Sequence, residues 1–225
     1  MKIAVLGTGM VGKAIAFRLN ELGHHVLLGT RSVQETLEKP LKAGQESMAS
    51  WLATATGIQL ATFENAAAEA EIVFNCTSGQ ASLAALQAAG TKNLAGKVIV
   101  DIANPLDFSK GMPPTLNPVN DDSLGEQIQR AFPESRVVKT LNTMTATVMV
   151  NPTLLRGPHT VFLSGNDTSA KEKVKELLSQ FGWKAENTLD LGDITTARGT
   201  EMFLPLWIRM WGALGTAQMN IHIQR

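Results

Sequence analysis

Gly7-Thr8-Gly9-Met10-Val11-Gly12 has the residue types and spacing to hold a pyrophosphate. A G-x-G-x-x-G run does this only where a strand ends and a helix opens. The flanks meet that condition. Lys2 to Leu6 is a short apolar run that reads as a buried strand, and Met10 to Leu22 reads as a helix with Val11, Ala14, Ile15, Leu19 and Leu22 on one face. The three glycines differ in what they allow. Gly7 permits the tight turn, Gly9 lets the backbone approach the phosphates, and Gly12 lets the helix close on the strand. The unpaired N–H groups at the helix start then face the anion. A glycine turn without a ligand is the alternative, and the flanking elements favour the dinucleotide.

The end of the second strand, His25 to Gly29, selects between cofactors. An NAD site carries Asp or Glu about 20 residues after the glycines, to bind the ribose 2′-hydroxyl. This chain has Thr30-Arg31-Ser32 there and no carboxylate. Arg31 can pair with a 2′-phosphate and stack on adenine, and Thr30 and Ser32 add hydroxyl donors. The expectation is NADP(H).

Ligands of doubly wound sheets bind outside the carboxyl ends of the strands. Three further strand ends therefore become candidates for the nicotinamide half: Cys76-Thr77-Ser78, Asn104-Pro105 and Leu141-Asn142-Thr143-Met144. Ordinary turn chemistry is the competing reading of each. Trp207 and Trp211 stand four apart, on one face of a helix that is apolar on most sides. Such a helix serves as core or dimer interface, or as a flat wall for an aromatic substrate. Arg198 and Glu201, three apart, are expected to pair near its start. Cys76 reads as a small buried side chain. No histidine has metal-ligand spacing and no G-x-S-x-G occurs, so neither a metal site nor a nucleophile elbow is expected.

These loops need a scaffold, and strand and helix signals alternate through two thirds of the chain. Strands are expected at Ile58–Ala61, Ile72–Cys76, Val98–Ile102, Val137–Leu141 and Thr160–Leu163. Helices are expected over 47–55, 64–70, 81–89, 123–131, 145–150 and 169–181, the last with a Ser169/Glu172 capping box, and over 196–219 with a break at Pro205. Asn104 to Asn120, with four prolines, reads as a loop that serves a site. The rhythm implies an α/β fold: a doubly wound parallel sheet over residues 1–150, with a small α/β extension and closing helix over 151–225. Twenty basic residues balance twenty acidic ones, which argues against a dedicated nucleic-acid binder. A single cysteine excludes an intramolecular disulfide framework and favours a cytoplasmic setting. No apolar stretch reaches the ~20 residues of a membrane span.

The chain resembles the NADP oxidoreductases that depend on an 8-hydroxy-5-deazaflavin, coenzyme F420, and more distantly the oxidoreductase domain of metalloreductases. The resemblance covers nearly the whole chain. It rests on residues 5–12, on Leu28-Gly29-Thr30-Arg31, on residues 138–144, and on Gly192-Asp193 with residues 197–201. It implies that Thr8 to Val11 contact pyrophosphate and that Thr30 and Arg31 hold the 2′-phosphate. It also implies that Cys76, Thr77, Met144 and Ala146 border the nicotinamide, with a deazaflavin over that ring and under the closing helix. The expected function is hydride transfer between NADPH and a flat two-electron acceptor, a chemistry of positioning that needs no acid–base residue. A reductase of another small molecule (flavin, ketoacid or imine) and a non-enzymatic NADP(H) redox sensor are the rivals. A homodimer is expected from the Trp-rich helix.

Overall fold

The computed structural model describes residues 1–40, 44 and 46–224. The elements run β1 (Lys2–Leu6), α1 (Met10–Glu21), β2 (His25–Thr30), α2 (Val33–Leu37), α3 (Met48–Thr54), β3 (Ile58–Thr62), α4 (Phe63–Glu69) and β4 (Ile72–Asn75). Then come α5 (Gly79–Ala89), α6 (Thr91–Leu94), β5 (Val98–Asp101), the short β6 (Leu106–Asp107) and β7 (Thr115–Leu116), α7 (Leu124–Ala131), β8 (Arg136–Thr140) and α8 (Ala146–Val150). The chain closes with β9 (Val161–Gly165), α9 (Thr168–Phe181), β10 (Thr188–Asp190), α10 (Ala197–Met202) and α11 (Leu204–Leu214).

Eight strands form one sheet in the order β10-β9-β8-β5-β4-β1-β2-β3. From β3 to β8 every neighbouring pair is parallel, β9 runs antiparallel to β8, and β10 parallel to β9. Parallel strands are covered on both faces, so they are apolar at nearly every position. Successive residues feed opposite cores. Ile3, Val5, Val26, Leu28 and Phe74 pack on one face with Ile15 and Leu19 of α1 and Val174 and Phe181 of α9. Ala4, Leu6, Leu27, Val73 and Ile99 pack on the other with Ala66 of α4, Leu86 of α5 and Ile128 of α7. The chain moves outward from β1 to β2 and β3, then returns to pair β4 on the other side of β1. The β1/β4 boundary is thus the topological switch point, where a doubly wound sheet opens a crevice.

Four expectations are corrected. The 104–120 segment is not all loop: Leu106 pairs with Leu116 and Asp107 with Thr115, an antiparallel hairpin too short to leave a period in the sequence. Helix α9 is capped by Asp167 rather than Ser169; the Asp167 side chain accepts from Ala170 N at 2.7 Å and from the Ser169 hydroxyl at 2.6 Å. Over 196–219 the expected break comes two residues before Pro205, so two helices form. They meet at Phe203, and Pro205 sits in the first turn of α11, where its missing N–H costs no hydrogen bond. Gly215, at φ 66°, ends α11. Finally, Arg198 and Glu201 do not pair, because each has partners elsewhere in the fold. Among the described residues no helix is long and apolar enough to cross a membrane.

Candidate functional site

The glycine loop stands at the switch point. Gly7 has φ +115°, a conformation that side chains disfavour, and a Cβ there would lie 2.7 Å from the Cys76 carbonyl oxygen. A Cβ on Gly12 would lie 1.8 Å from the Gly7 carbonyl oxygen, so the helix closes on the strand only with glycine. Around Gly9 a Cβ would meet nothing within 4 Å, which leaves room for a ligand against the backbone. Helix α1 has no side-chain cap, and its first backbone bond is Lys13 N to Gly9 O at 2.9 Å. The amides ahead of Lys13 are the intrahelically unpartnered donors that bind anions. The loop therefore fits a pyrophosphate.

Two cavities of about 560 Å³ each flank this loop and share Gly9, Cys76, Thr77 and Ser78. One is lined by Gly7, Thr8, Thr30, Arg31 and Ser32. The other is lined by Met10, Val11, Asn104, Asn142, Met144, Ala146 and Trp207. Four of the candidates lie outside both linings. Gly12 sits beneath the loop, Pro105 and Thr143 are buried, and Trp211 is 44% exposed farther along α11, with its ring centroid 6.0 Å from that of Trp207.

At the first cavity the hydroxyls are already engaged in local structure. Thr30 Oγ1 lies 2.6 Å from Thr36 Oγ1, which donates to the Ser32 carbonyl at 2.8 Å. Ser32 Oγ accepts from Glu35 N at 3.3 Å and caps α2. Arg31 is exposed and, among the described residues, forms no ion pair. Lys39, which no sequence signal marked, lines the same cavity. Two cations against the one carboxylate of Glu35 leave this opening net positive, which suits a phosphate monoester of roughly −1.5 to −2 charge at neutral pH.

The second cavity rests on a buried polar network. Thr77 Oγ1 donates to Asn75 Oδ1 at 2.7 Å, and Asn75 Nδ2 donates to Asp101 Oδ1 at 2.8 Å. Lys139 Nζ, wholly buried, reaches Asp101 Oδ2 at 2.8 Å, Glu201 Oε1 at 2.7 Å and the Ala103 carbonyl at 2.6 Å. The contacts to Asp101 and Ala103 are hydrogen bonds, and that to Glu201 is an ion pair. Burial alone would lower the Lys139 pKa, but Asp101 and Glu201 outweigh it and hold the ammonium above its usual range. Glu201 also accepts from the amides of Leu124 and Gly125, at 2.8 and 3.0 Å, at the start of α7. Arg198 turns the other way and donates to Glu126 through Nε at 2.8 Å. The spacing that suggested an Arg198–Glu201 pair is overridden because each has a stronger long-range partner.

Two more features shape this end. Asn142 Nδ2 donates to Asn104 Oδ1 at 2.9 Å, and Asn104 Nδ2 donates to the Asn142 carbonyl at 2.8 Å, which stitches two strand-end loops together. Leu141 before them is buried at φ +62°. Burial, followed by the negative charge of Asp101, pushes the Cys76 thiol well up, so it stays protonated. It is a small wall residue and not a thiolate nucleophile. The sequence reading missed Phe108 on the hairpin and Leu204 at the head of α11, both of which line this cavity.

Comparison with known proteins identifies this architecture. Residues 2–105 match the family described as "NADP oxidoreductase coenzyme F420-dependent". The chain is 28% identical over 216 residues to the F420-dependent NADP reductase of Methanothermobacter marburgensis, covering 93% of this chain and 92% of that one. It is also 28% identical over 214 residues to metalloreductase STEAP3 of Rattus norvegicus, covering 92% of this chain but only 38% of that longer protein. A crystal structure from Arthrobacter sp. FB24, given the provisional name F420-dependent NADP-reductase, is 59% identical, covers all of both chains and superposes with a TM-score of 0.94. The chain is an NADP-dependent oxidoreductase, and it belongs to the coenzyme F420-dependent NADP oxidoreductase family.

Proposed function

We propose that the chain transfers hydride between NADPH and a deazaflavin. The observation that carries this reading is the run of the cleft. A cavity with Arg31 and Lys39 in its lining continues, over the glycine loop, into one lined entirely by uncharged residues. Dinucleotide and acceptor can thus lie end to end in one crevice. Thr8 to Val11 would hold the pyrophosphate, Thr30, Arg31 and Ser32 the phosphorylated ribose, and Cys76, Thr77, Met144 and Ala146 the edge of the nicotinamide. When bound, NADPH supplies the hydride.

The protein's own part is positioning. Two-ring transfer needs reacting atoms held about 3–3.5 Å apart, and good alignment supplies much of the rate. Met10, Leu204, Phe108 and Trp207 bound the cavity with apolar surface, suited to a flat aromatic ring and to exclusion of water. The neutral Cys76 thiol adds no competing nucleophile. The defining test is NADPH oxidation with oxidised deazaflavin as acceptor, with flavin mononucleotide and NADH as controls. Turnover is expected with NADPH and deazaflavin and little with either control. NADPH binding without turnover on the deazaflavin would overturn the acceptor assignment and leave the NADP site standing.

A further inference from the structure

We propose that Lys139 is a positioning residue that seats the nicotinamide ring, without touching it. The proposal rests on the NADP reading above. Lys139 lines neither cavity. Its two hydrogen bonds and one further ion pair nevertheless lead to three walls of the uncharged cavity. The first runs to the Ala103 carbonyl, while Asp101 Oδ1 accepts from the Ala103 amide at 3.2 Å. Residue 103 is thus clamped from both its amide and its carbonyl side. The second bond orients Asp101, whose other oxygen holds Asn75, and Asn75 in turn holds the hydroxyl of Thr77 at 2.7 Å and its amide at 3.4 Å. The third holds Glu201 in α10, the helix that leads directly into Leu204 and Trp207 of α11.

The charges close around this one ammonium. One cation meets two carboxylates, and the excess negative charge faces the α7 amides that bond Glu201. Removal of the cation leaves Asp101 and Glu201 as like charges with no buried counter-ion. The relaxation that follows moves residues 77, 103 and 201 together. The adenosine cavity meets this network at its shared edge, Thr77, and behind its wall at Ser82 of α5, which accepts from Asn75 Nδ2 at 3.0 Å. Among the described residues its cations Arg31 and Lys39 form no bond to Asn75, Asp101, Lys139 or Glu201.

This asymmetry gives a test that a merely structural ion pair would fail. Adenosine 2′,5′-bisphosphate fills only the adenosine end, whereas NADPH fills both. Both are titrated calorimetrically onto the wild type, Lys139→Met and Lys139→Arg, and the fluorescence of bound NADPH is recorded. For Lys139→Met, NADPH affinity is expected to fall by about tenfold, the scale of one lost interaction of ordinary strength. The bisphosphate affinity stays at the wild-type value, the fluorescence of bound NADPH shifts toward that in water, and Lys139→Arg recovers part of the loss. Equal weakening of both ligands, or no weakening of NADPH, would overturn the proposal. If Lys139→Met does not fold, Glu201→Gln and Asp101→Asn, at residues that line neither cavity, report the same ratio, and an unchanged ratio in both overturns it. Wild type that binds NADH as tightly as NADPH would refute the NADP reading instead. The ratio of NADH to adenosine diphosphate affinity then judges Lys139.

Discussion

The two ends of the cleft are built by opposite means. The end proposed for the phosphorylated ribose takes its cations and most of its hydroxyls from one short segment: Thr30, Arg31, Ser32, Thr36 and Lys39 lie within ten positions, and both cations are surface side chains. The end proposed for the nicotinamide rests on residues from distant segments, 75, 101, 139 and 201, joined through buried contacts. The first can be altered with little effect on the fold. The second cannot, because its shape and the protein's stability depend on the same bonds.

Substitutions should separate the two ends, and Gly12 serves both. Gly12→Val should have the largest effect, since even a Cβ would meet the Gly7 oxygen at 1.8 Å. A cost of roughly 4 kcal/mol or more, in the exceptional range for single substitutions, and loss of all dinucleotide binding are expected by thermal melting and calorimetry. Lys139→Met should follow, at about 3–5 kcal/mol, the usual consequence of breaking a buried ion pair. Denaturant titration measures this, and a loss below about 1 kcal/mol would show that the network is not under strain when opened.

Arg31→Ala should invert that pattern. NADPH binding is expected to weaken by roughly 10- to 100-fold, as for one or two charge-assisted bonds, with NADH binding and the melting temperature nearly unchanged. Equal losses for both cofactors would remove Arg31 from the 2′-phosphate site. The smallest effect is expected at Glu126. The hydrogen bond from Arg198 holds its carboxyl below the ordinary 4.5, and that bond pins α10 to α7. A lowered carboxyl stabilises the fold fully above pH 4.5 and loses that contribution as pH falls through the folded value. The melting temperatures of wild type and Glu126→Gln should therefore differ slightly at pH 7 and converge in acid. Solvent around Arg198 keeps the difference small.

Legibility in the sequence followed the same division. That the glycine loop, Arg31 and the strand ends meet at one cleft, and that the sheet is parallel, could be read because each is signalled by neighbours in the chain. The sheet alternation was visible because buried parallel strands must be apolar. Lys39 left no signal, since a lone lysine after a short helix is ordinary surface. Phe108 could have been suspected from the proline-rich stretch that carries it. The clearest missed signal was Lys139 itself, a charge within the apolar run Val137-Val138-Lys139 of a central strand. Nothing local shows that its partners are 38 residues behind it and 62 ahead. The Arg198–Glu201 expectation failed for the same reason, because helical spacing says nothing of partners on another helix.

The antiparallel β9 has a consequence for anyone who would cut the molecule down to a portable cofactor-binding piece. Val138, Lys139 and Thr140 are register partners of Gly165, Ser164 and Leu163. A fragment ended at residue 150 would leave β8 as a naked rim of unpaired amides and carbonyls, open to stacking with other copies of itself. It would also lose Glu201, one of the two anions that make the buried cation tolerable. Such a fragment should appear in the pellet, and a useful one must extend at least through α10.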